Sequence, residues 1–159
     1  MPRELSTERL TLRPFMPDDV DWHLGLLGER DAPAPTRAEN EAAVLHASSA
    51  WTDGGIAPYV VTVTRGAQAV GYCGLIVGRA TSDAPGIAYE LFRRDHGNGY
   101  ATEAATAVVA AAGTGRARLW STVRAWNVPS LNVLAKLQFS QDHSTFDDRG
   151  ELIWLKREL

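Results

Sequence analysis

Residues 96–105 read His-Gly-Asn-Gly-Tyr-Ala-Thr-Glu-Ala-Ala, and they follow directly on the β-rich run 86–92. Gly97 and Gly99 carry no Cβ, so the backbone there can adopt positive φ and approach a ligand closely. The helix predicted to begin near Tyr100 directs its free N–H groups and the positive end of its dipole at the same place. A strand, a glycine loop and a helix in this order predict an anion site, and phosphate is the natural ligand.

The length and composition are those of one soluble domain covering residues 1–159, with 45% hydrophobic and 22% charged residues. The net charge of -3 argues against a general attraction to nucleic acid. A single cysteine, Cys73, excludes an internal disulfide and is typical of a reducing compartment. No stretch reaches the roughly 20 apolar residues that a membrane span requires. Because Met1–Leu5 also lacks the start of a signal peptide, we expect a cytoplasmic protein without a membrane partner.

Hydrophobic spacing predicts a mixed α/β (α+β) domain in which helices flank one sheet. The order is a strand, two helices, three strands, a helix, a strand, a helix and two strands. The predicted strands are 10–13, 59–64, 69–77, 86–92, 118–124, 139–146 and 151–157. The predicted helices are 18–27, 36–51, 100–112 and 127–137.

Turn and capping residues support these boundaries. Thr36 with Glu39 predicts a capping box at the start of the second helix, and the run 53–55, Asp-Gly-Gly, is expected to end that helix. The run 65–68 predicts a hairpin turn between two strands. Asn127 is expected to cap the last helix.

Four segments are similar to the motifs of one family. They are 5–13, similar to a first strand L-x-T-x-R-L-x-L-R; 70–75, similar to a glycine-containing hairpin strand; 88–91 with 97–104, similar to an acetyl-CoA signature; and 127–130 with 134–139, similar to N-x-x-S…L-x-k-L-G-F. A lone G-x-G is weak evidence, but the four segments occur in the family's order and spacing. The chain is therefore identified as a member of the GNAT superfamily of N-acetyltransferases, of the RimJ/RimL type.

The resemblance implies a splayed central sheet, with a V-shaped gap in which the pantetheine of acetyl-CoA pairs with exposed backbone. We expect the exposed backbone at Leu91, Phe92 and Arg93, the pyrophosphate on the amides of 97–102, and contacts to the pantetheine or thiol from the last helix. The expected acetyl-CoA-binding residues are Leu91, Phe92, Arg93, His96, Gly97, Asn98, Gly99, Tyr100, Ala101, Thr102, Asn127 and Ser130.

The chain departs from the family pattern around the phosphate loop. His96 stands where Gln or Arg is usual, although a second register would begin the motif at Arg94. Asn98 stands where Arg or Lys is frequent, so one phosphate cation is missing. Arg93, Arg94 or His96 could partly substitute for it.

The catalytic residues are less clearly marked. Leu134 stands where many members of the superfamily have a Tyr general acid, which leaves Ser130 as the candidate that reprotonates the CoA thiolate. A backbone N–H of Leu91 or Phe92 could polarise the thioester carbonyl. The general base stays unassigned. Glu90 has the wrong strand parity, Tyr89 has an unsuitable unperturbed pKa, and water or a residue of the first two helices is an alternative.

We expect an acetyl-CoA-dependent N-acetyltransferase whose acceptor is a primary amine, either a protein or peptide N-terminus or a small amine. A non-catalytic acyl-CoA-binding module and an unrelated nucleotide binder are the alternatives. Asn127 and Ser130 could also serve only as capping residues, and a Trp of the first two helices could line the acceptor pocket. The scattered histidines predict no metal site. Edge strands could pair two copies into a homodimer.

Overall fold

The computed structural model describes residues 1–51, 56–66 and 68–159, which form one eight-stranded sheet flanked by helices. The strands are β1 (Leu5–Ser6), β2 (Leu10–Pro14), β3 (Pro58–Val63), β4 (Ala69–Ile76), β5 (Gly86–Leu91), β6 (Arg118–Arg124), β7 (Ser140–Asp147) and β8 (Gly150–Glu158). The helices are α1 (Val20–Leu27), α2 (Arg37–Ser49), α3 (Tyr100–Ala112) and α4 (Val128–Lys136), with short 3-10 turns at Pro17–Asp19 and Arg93–Asp95.

The sheet is mixed and splayed, as the sequence predicts. Its strand order is β1-β2-β3-β4-β5-β6-β8-β7, and all neighbours are antiparallel except β5 and β6. The described β5–β6 ladder contains one residue pair, Gly86 with Trp120, and the Trp120 N–H donates to the Pro85 carbonyl at 2.9 Å. The two strands separate beyond this pair, which leaves a V-shaped gap in the middle of the sheet.

Helices α3 and α4 cover one face of the sheet. Ile87 and Leu91 of β5 belong to a buried cluster with Ala104 and Val108 of α3 and Leu134 of α4. The small residue at position 104 lets the α3 backbone lie close to the strands, as its helical spacing predicts. Because strand side chains alternate, this packing assigns the odd-numbered side chains of β5 to the α3 face.

Helices α1 and α2 pack on the opposite face. Val20 of α1 and Val44 of α2 form a second buried cluster with Phe15 and Val60, and Trp22 and other partly buried side chains pack against it. This cluster lies over the β2–β4 side of the sheet. The even-numbered side chains of β5 therefore point to the α1 face.

The predicted capping residues are observed. Thr36 accepts a hydrogen bond from the Glu39 N–H, and the Glu39 carboxylate accepts in return, so the capping box is confirmed. Asn127 caps α4. The expected helix stop at 53–55 and residue 67 of the expected hairpin turn lie outside the described residues.

Most boundaries shift by one or two residues from the prediction, and three differences have a clear physical cause. Strand β1 was not predicted, because two residues are too short to show a period. Helix α2 ends at Ser49 rather than at Trp51, and the Ala50 N–H closes it by donating to the His46 carbonyl. Strand β5 ends at Leu91, one residue earlier than predicted, because the chain turns at Arg93–Asp95.

Candidate active site

The glycine loop between β5 and α3 has the geometry that an anion site requires. Gly97 has φ +80° and Gly99, the N-cap of α3, has φ +78°. A Cβ built on Gly97 would meet no atom within 4 Å, so the space in front of the loop is open. The first intrahelical bond runs from the Glu103 N–H to the Gly99 carbonyl, at 3.0 Å. The N–H groups that precede it, at residues 100–102, are left for a ligand.

A cation that the sequence analysis did not assign is attached to this loop. The Arg9 guanidinium donates to the Asn98 carbonyl at 3.0 Å and to the Glu103 carboxylate at 2.7 Å. Its Nη2 atom would lie 3.5 Å from a Cβ built on Gly99. The Thr7 hydroxyl also donates to Glu103, at 2.6 Å. The first-strand motif (5–13) and the acetyl-CoA signature (97–104) are thus in direct contact. The occurrence of both motifs in one sequence was the signal that could have predicted this contact.

The Glu103 carboxylate is the centre of this contact. Burial raises its pKa, but hydrogen bonds from Thr7 and from Arg9 outweigh burial and leave the pKa below its ordinary value. Glu103 is therefore ionised at neutral pH. It holds the Arg9 guanidinium beside the loop through a charge-assisted bond.

Two of the three residues expected to replace the missing loop charge, Arg93 and Arg94, have side chains bound elsewhere. The Arg93 guanidinium donates to the Glu29 carbonyl at 2.6 Å, and the Arg93 N–H donates to the Glu29 carboxylate at 2.8 Å. The Arg94 guanidinium stacks on the Phe92 ring, 3.9 Å from its centroid. Arg9, rather than Arg93 or Arg94, is the arginine hydrogen-bonded to the loop.

The remaining predicted loop residues support the loop itself. The Asn98 side-chain amide donates to the carbonyls of Asp95 at 3.1 Å and His96 at 3.3 Å. The His96 Nε2–H donates to the Leu91 carbonyl at 2.9 Å, which ties the loop to the end of β5. Both side chains fix the backbone conformation of the loop.

The free backbone groups of β5 differ from those expected. The Phe92 N–H donates to the Val70 carbonyl at 2.9 Å, and the Arg93 N–H is bound by a carboxylate, so neither amide is available to pantetheine. The Leu91 carbonyl accepts from His96. Of the predicted set, the Leu91 N–H has no partner among the described residues. The expectation of exposed backbone was wrong for the other two amides. Which backbone groups of a strand point to which side, here called its phase, is decided by pairing with the neighbouring strand and not by the residues of the strand itself.

The strand phase identifies which groups face the gap. Since Phe92 bonds to β4, backbone alternation directs the groups of Ile87, Tyr89 and Leu91 toward β6. The Ile87 carbonyl accepts from the Ser121 hydroxyl at 3.3 Å, next to the one ladder pair. Farther along, Tyr89 and the Leu91 N–H face the gap without a strand partner in the described chain.

A cleft of about 330 Å³ occupies this gap. It is bounded by β5, β6, β8, the start of α4, the β4–β5 loop and the β7–β8 turn. Its lining includes Asn127 and Ser130, which were predicted to bind acetyl-CoA, and Tyr89, which the sequence analysis weighed as a general base. The cleft therefore reaches from the α4 side of the sheet through the gap to the opposite face.

Hydrogen bonds connect the three polar residues on the α4 side of the cleft. The Tyr89 hydroxyl donates to the Ser130 carbonyl at 3.0 Å, and the Ser130 N–H donates to the Asn127 side-chain oxygen at 3.3 Å. Burial raises the pKa of Tyr89 above its ordinary value, so the phenol stays protonated. Leu134 is fully buried in the core one turn later. Asn127 thus has the capping role, and Ser130 borders the cleft beside it.

No Asp, Glu or His belongs to the cleft lining in the described part of the chain. Glu90 lies on the α1 face, where its carboxylate accepts from the Arg30 Nε at 2.9 Å and from the Tyr72 hydroxyl at 3.1 Å. The parity argument against Glu90 was wrong, because this face is covered by the first two helices, which were expected to line the acceptor pocket. His23 of α1 is likewise outside the lining, and its Nδ1–H donates to the Asn40 side-chain oxygen at 2.7 Å. Neither side chain belongs to the lining of this cleft.

The tryptophans that line the cleft were not the expected ones. Trp22 and Trp51 were candidates for the acceptor wall, but the Trp22 Nε1–H donates to Asp19 at 2.7 Å and Trp51 packs on Tyr59. Trp120 of β6 and Trp154 of β8 line the cleft instead. The alternation of side chains along β6 could have predicted this place for Trp120. The odd-numbered positions 119, 121 and 123 are buried, so the even-numbered side chains face the cleft.

Three further features of the described residues concern metal ligands, membrane spans and the single cysteine. No group of three or more His, Cys, Asp or Glu residues there could hold a metal ion. No described helix has the length and apolarity to cross a membrane. Cys73 is fully buried, and burial raises the pKa of its thiol, so it behaves as a core residue.

Comparison with known proteins agrees with this geometry. A family model described as "Acetyltransferase (GNAT) domain" matches residues 9–140. The chain belongs to the GNAT acetyltransferase family. It is an acetyl-CoA-dependent N-acetyltransferase, as the sequence motifs predicted. No curated protein is similar enough in sequence to match this GNAT chain.

Solved structures show the same fold. A Bordetella pertussis protein described as a GNAT-family acetyltransferase has 21% identity and a TM-score of 0.86, over 98% of this chain and 99% of its own. An acetyltransferase from Agrobacterium tumefaciens has 22% identity and a TM-score of 0.83, over 100% and 95%. RimL, a ribosomal L7/L12 alpha-N-protein acetyltransferase in complex with coenzyme A, has 15% identity and a TM-score of 0.80, over 96% of each chain. At these identities the likeness establishes the GNAT fold alone.

Proposed function

We propose that this GNAT protein transfers the acetyl group of acetyl-CoA to a primary amine by direct attack in a ternary complex. The acceptor is a protein or peptide N-terminus or a small amine. The observation that carries the proposal is the cleft between β5 and β6. It joins the side of the sheet that holds Asn127 and Ser130 to the opposite face, so two substrates can meet in the gap.

The residues present fit acetyl-CoA. The open space at Gly97, the positive φ angles and the Arg9 guanidinium suit the pyrophosphate, which residues 97–102 would bind through their amides. The gap-facing groups of Tyr89 and Leu91 suit pantetheine, because a chain of amides can pair with an unpaired strand. This placement brings the thioester to the cleft beside Ser130.

In the transfer step, the nitrogen lone pair forms a bond to the thioester carbonyl carbon. The C–S bond then breaks, and its electron pair leaves with the sulfur. The Leu91 N–H is the candidate that stabilises the oxyanion, because it faces the gap without a partner in the described chain. One amine proton leaves to water and one proton is taken up by the thiolate, so the products are the acetamide and free CoA. The main contribution of the protein is to hold the amine and the thioester in contact.

Water is the proposed proton acceptor, because the described cleft lining offers no carboxylate or imidazole. The lining does contain Arg79, Arg124 and Arg149. Nearby positive charge disfavours an ammonium ion and lowers its pKa. Arg79 and Arg149, which form no ion pair in the described chain, therefore favour the neutral, nucleophilic form of the bound amine.

Ser130 is the proposed proton donor to the leaving thiolate, and its hydroxyl takes up a proton from water as it donates its own, so that no alkoxide remains. Its hydroxyl borders the cleft, while its carbonyl and N–H are fixed by Tyr89 and Asn127. Ser130→Ala should lower kcat by more than it changes the affinity for acetyl-CoA. Equal losses in both would make Ser130 a binding residue.

Calorimetric titration with acetyl-CoA, with ATP as the control, is the first test of this proposal. Micromolar binding of acetyl-CoA without binding of ATP is the expected result. A panel of primary amines is then assayed for release of the CoA thiol. Binding of acetyl-CoA without turnover of any amine would contradict the transfer, and the absence of acetyl-CoA binding would contradict the site.

A further inference from the structure

The outer mouth of the cleft is positively charged. Arg79 lies in the loop between β4 and β5, Arg124 ends β6, and Arg149 lies in the turn between β7 and β8. All three line the cleft, and no carboxylate does so within the described residues. Three separate segments of the chain therefore each contribute an arginine to the lining of one cleft.

Arg124, one of these arginines, is neutralised by an ion pair and stabilises the β7–β8 turn. The Arg124 guanidinium binds Asp147 through two bonds of 2.7 and 2.8 Å and also donates to the Gly150 carbonyl at 3.0 Å. Its side chain is only 11% exposed. The Arg124 bond is the main reason that the pKa of Asp147 falls to about 2, so this carboxylate is ionised at neutral pH. The pair fixes the β7–β8 turn beside the cleft.

The other two arginines are available to a ligand. Asp147 accepts from the Arg149 N–H at 2.9 Å, which fixes the backbone of the turn. The Arg149 charge also helps to lower the pKa of Asp147, but the Arg149 guanidinium forms no hydrogen bond or ion pair in the described chain. The Arg79 guanidinium likewise forms none there, and both side chains are exposed at the mouth. Asp148, in the same turn, is close enough to raise the pKa of Arg124. Asp83 in the loop of Arg79, Asp147 and Asp148 all lie outside the cleft lining, so the charged side chains of the lining are all arginines within the described residues.

The floor beneath these charges is aromatic. Trp120 and Trp154 meet edge to face, with ring centroids 6.2 Å apart. Both rings are half-buried and line the cleft. An aromatic floor with guanidinium groups at the rim suits a compact ligand that has a carbon skeleton and an anionic group.

The phosphates of acetyl-CoA do not account for these arginines. Arg79 precedes β5 and the glycine loop follows it, so the six residues of this strand, which span roughly 20 Å, separate the two. Arg124 and Trp120 lie on the face of β6 opposite the α3 core, because their neighbours Leu119 and Val123 belong to that core. The positive mouth is therefore on the acceptor side of the gap.

We infer that the acceptor is a small primary amine that also carries an anionic group, a carboxylate or a phosphate. Arg79 and Arg149 bind the anion, and the amine points between β5 and β6 toward the thioester. The inference rests on the proposed acetyl transfer and narrows its acceptor. A cationic or purely neutral amine would leave the two guanidinium groups without a partner, and a diamine would be repelled by them.

The test compares short primary amines of different charge, among which β-alanine and β-alaninamide are matched in shape. The carboxylate probes are β-alanine and 4-aminobutyrate, the phosphate probe is 3-aminopropyl phosphate, the neutral probe is β-alaninamide and the cationic probe is 1,3-diaminopropane. Release of the CoA thiol gives kcat/KM for each amine, and calorimetry in the presence of CoA gives its binding. Anionic amines should exceed β-alaninamide by about tenfold or more, the size expected for a charge-assisted bond. The better of the carboxylate and phosphate probes identifies the anion.

Matched variants assign the effect to the arginines. Arg79→Gln and Arg149→Gln should each reduce the ratio of anionic to neutral amine by about tenfold. Arg65→Gln, at an exposed position in the β3–β4 turn, makes the same change in net charge and should keep the ratio. An equal loss for both amines in the cleft variants would overturn the inference.

The outcomes separate the inference from the proposed function. Turnover of the diamine or the amide, with no turnover of the anionic amines, refutes the anionic acceptor while acetyl transfer stands. Binding of an anionic amine to the CoA complex without thiol release supports the anion site and refutes the transfer. Turnover of peptides with a free N-terminus, with no binding of the small anionic amines, refutes the inference in favour of a peptide acceptor.

Discussion

Replacing Gly97 by Asn or by Asp tests whether the glycine loop binds the pyrophosphate. The two side chains have the same shape, and only Asp carries a charge. A Cβ at this position would meet no atom within 4 Å, so neither substitution creates a clash. The backbone angle, φ +80°, costs about 1–2 kcal/mol for an ordinary L-residue, and less for Asn and Asp, which visit this region most readily. Both variants should therefore fold, with midpoints of thermal unfolding lowered by a few degrees and nearly equal.

The expected difference in affinity follows from Coulomb's law. A carboxylate on residue 97 would lie roughly 6 Å from a phosphate bound to the neighbouring amides. One pair of unit charges at this distance repels by about 0.7 kcal/mol at the dielectric constant of water and by about 3 kcal/mol at an effective value of 20. Because the loop is exposed to solvent, the repulsion calculated with the dielectric constant of water applies. Two phosphate charges then cost about 1.4 kcal/mol, which is about a tenfold loss of affinity.

Calorimetric titration of both variants with CoA measures this difference. Gly97→Asp should bind about tenfold more weakly than Gly97→Asn at low salt, because the repulsion is barely screened there. The difference in affinity between the two variants should become smaller at higher salt, because the screening length falls to about 10 Å at 0.1 M. Gly150→Asn in the β7–β8 turn, at φ +95° with open space, is the control for backbone strain. Equal affinity of the two Gly97 variants, at matched stability, would place the phosphates elsewhere.

Three further predictions concern the support of the site and the stability of the fold. Glu103→Gln removes the charge that holds Arg9 at the loop, so CoA affinity should fall several-fold while the Tm changes little; unchanged affinity in calorimetry would leave Arg9 without a phosphate role. Burial lowers the pKa of His23 below its ordinary value of 6.5, so the unfolded chain binds this proton more readily. The free energy of unfolding should therefore fall as the pH drops below 6.5, and His23→Asn should weaken that dependence in denaturant titrations; identical pH dependence in both proteins would contradict this assignment. Thr36→Ala removes a helix cap and should cost about 0.5–2 kcal/mol, measured as a lower midpoint in denaturant at constant slope.

The elements were predictable where local chemistry determines them. Glycines at 97 and 99 permit positive φ at both positions, and the helix that follows was predicted with the bounds that the structure shows, Tyr100–Ala112. The Thr36 capping box and the Asn127 cap depend on contacts within one turn, so the sequence contains everything that forms them. The family resemblance supplied the splay of the sheet, which no local pattern contains.

The identity of the phosphate cation was not predictable from the neighbourhood of the loop. Arg93 and Arg94 stand next to the glycines in sequence, yet their side chains turn to Glu29 and to the Phe92 ring. Arg9 is 89 positions from Asn98 and binds its carbonyl. Proximity in sequence failed here because a long side chain follows the nearest charge or ring in space.

The sequence by itself determined the helix and strand types, the glycine loop, the family and the cofactor of this acetyltransferase. The elements and the glycine loop depend on residue types at short spacing, and the family and cofactor depend on the order of four short motifs along the chain. Only the tertiary structure decided that the Phe92 and Arg93 amides are occupied, that Trp120 and Trp154 rather than Trp22 and Trp51 line the cleft, and that arginines from three segments meet at its mouth. Those features depend on strand phase and on contacts between distant segments, and both are fixed when the sheet assembles.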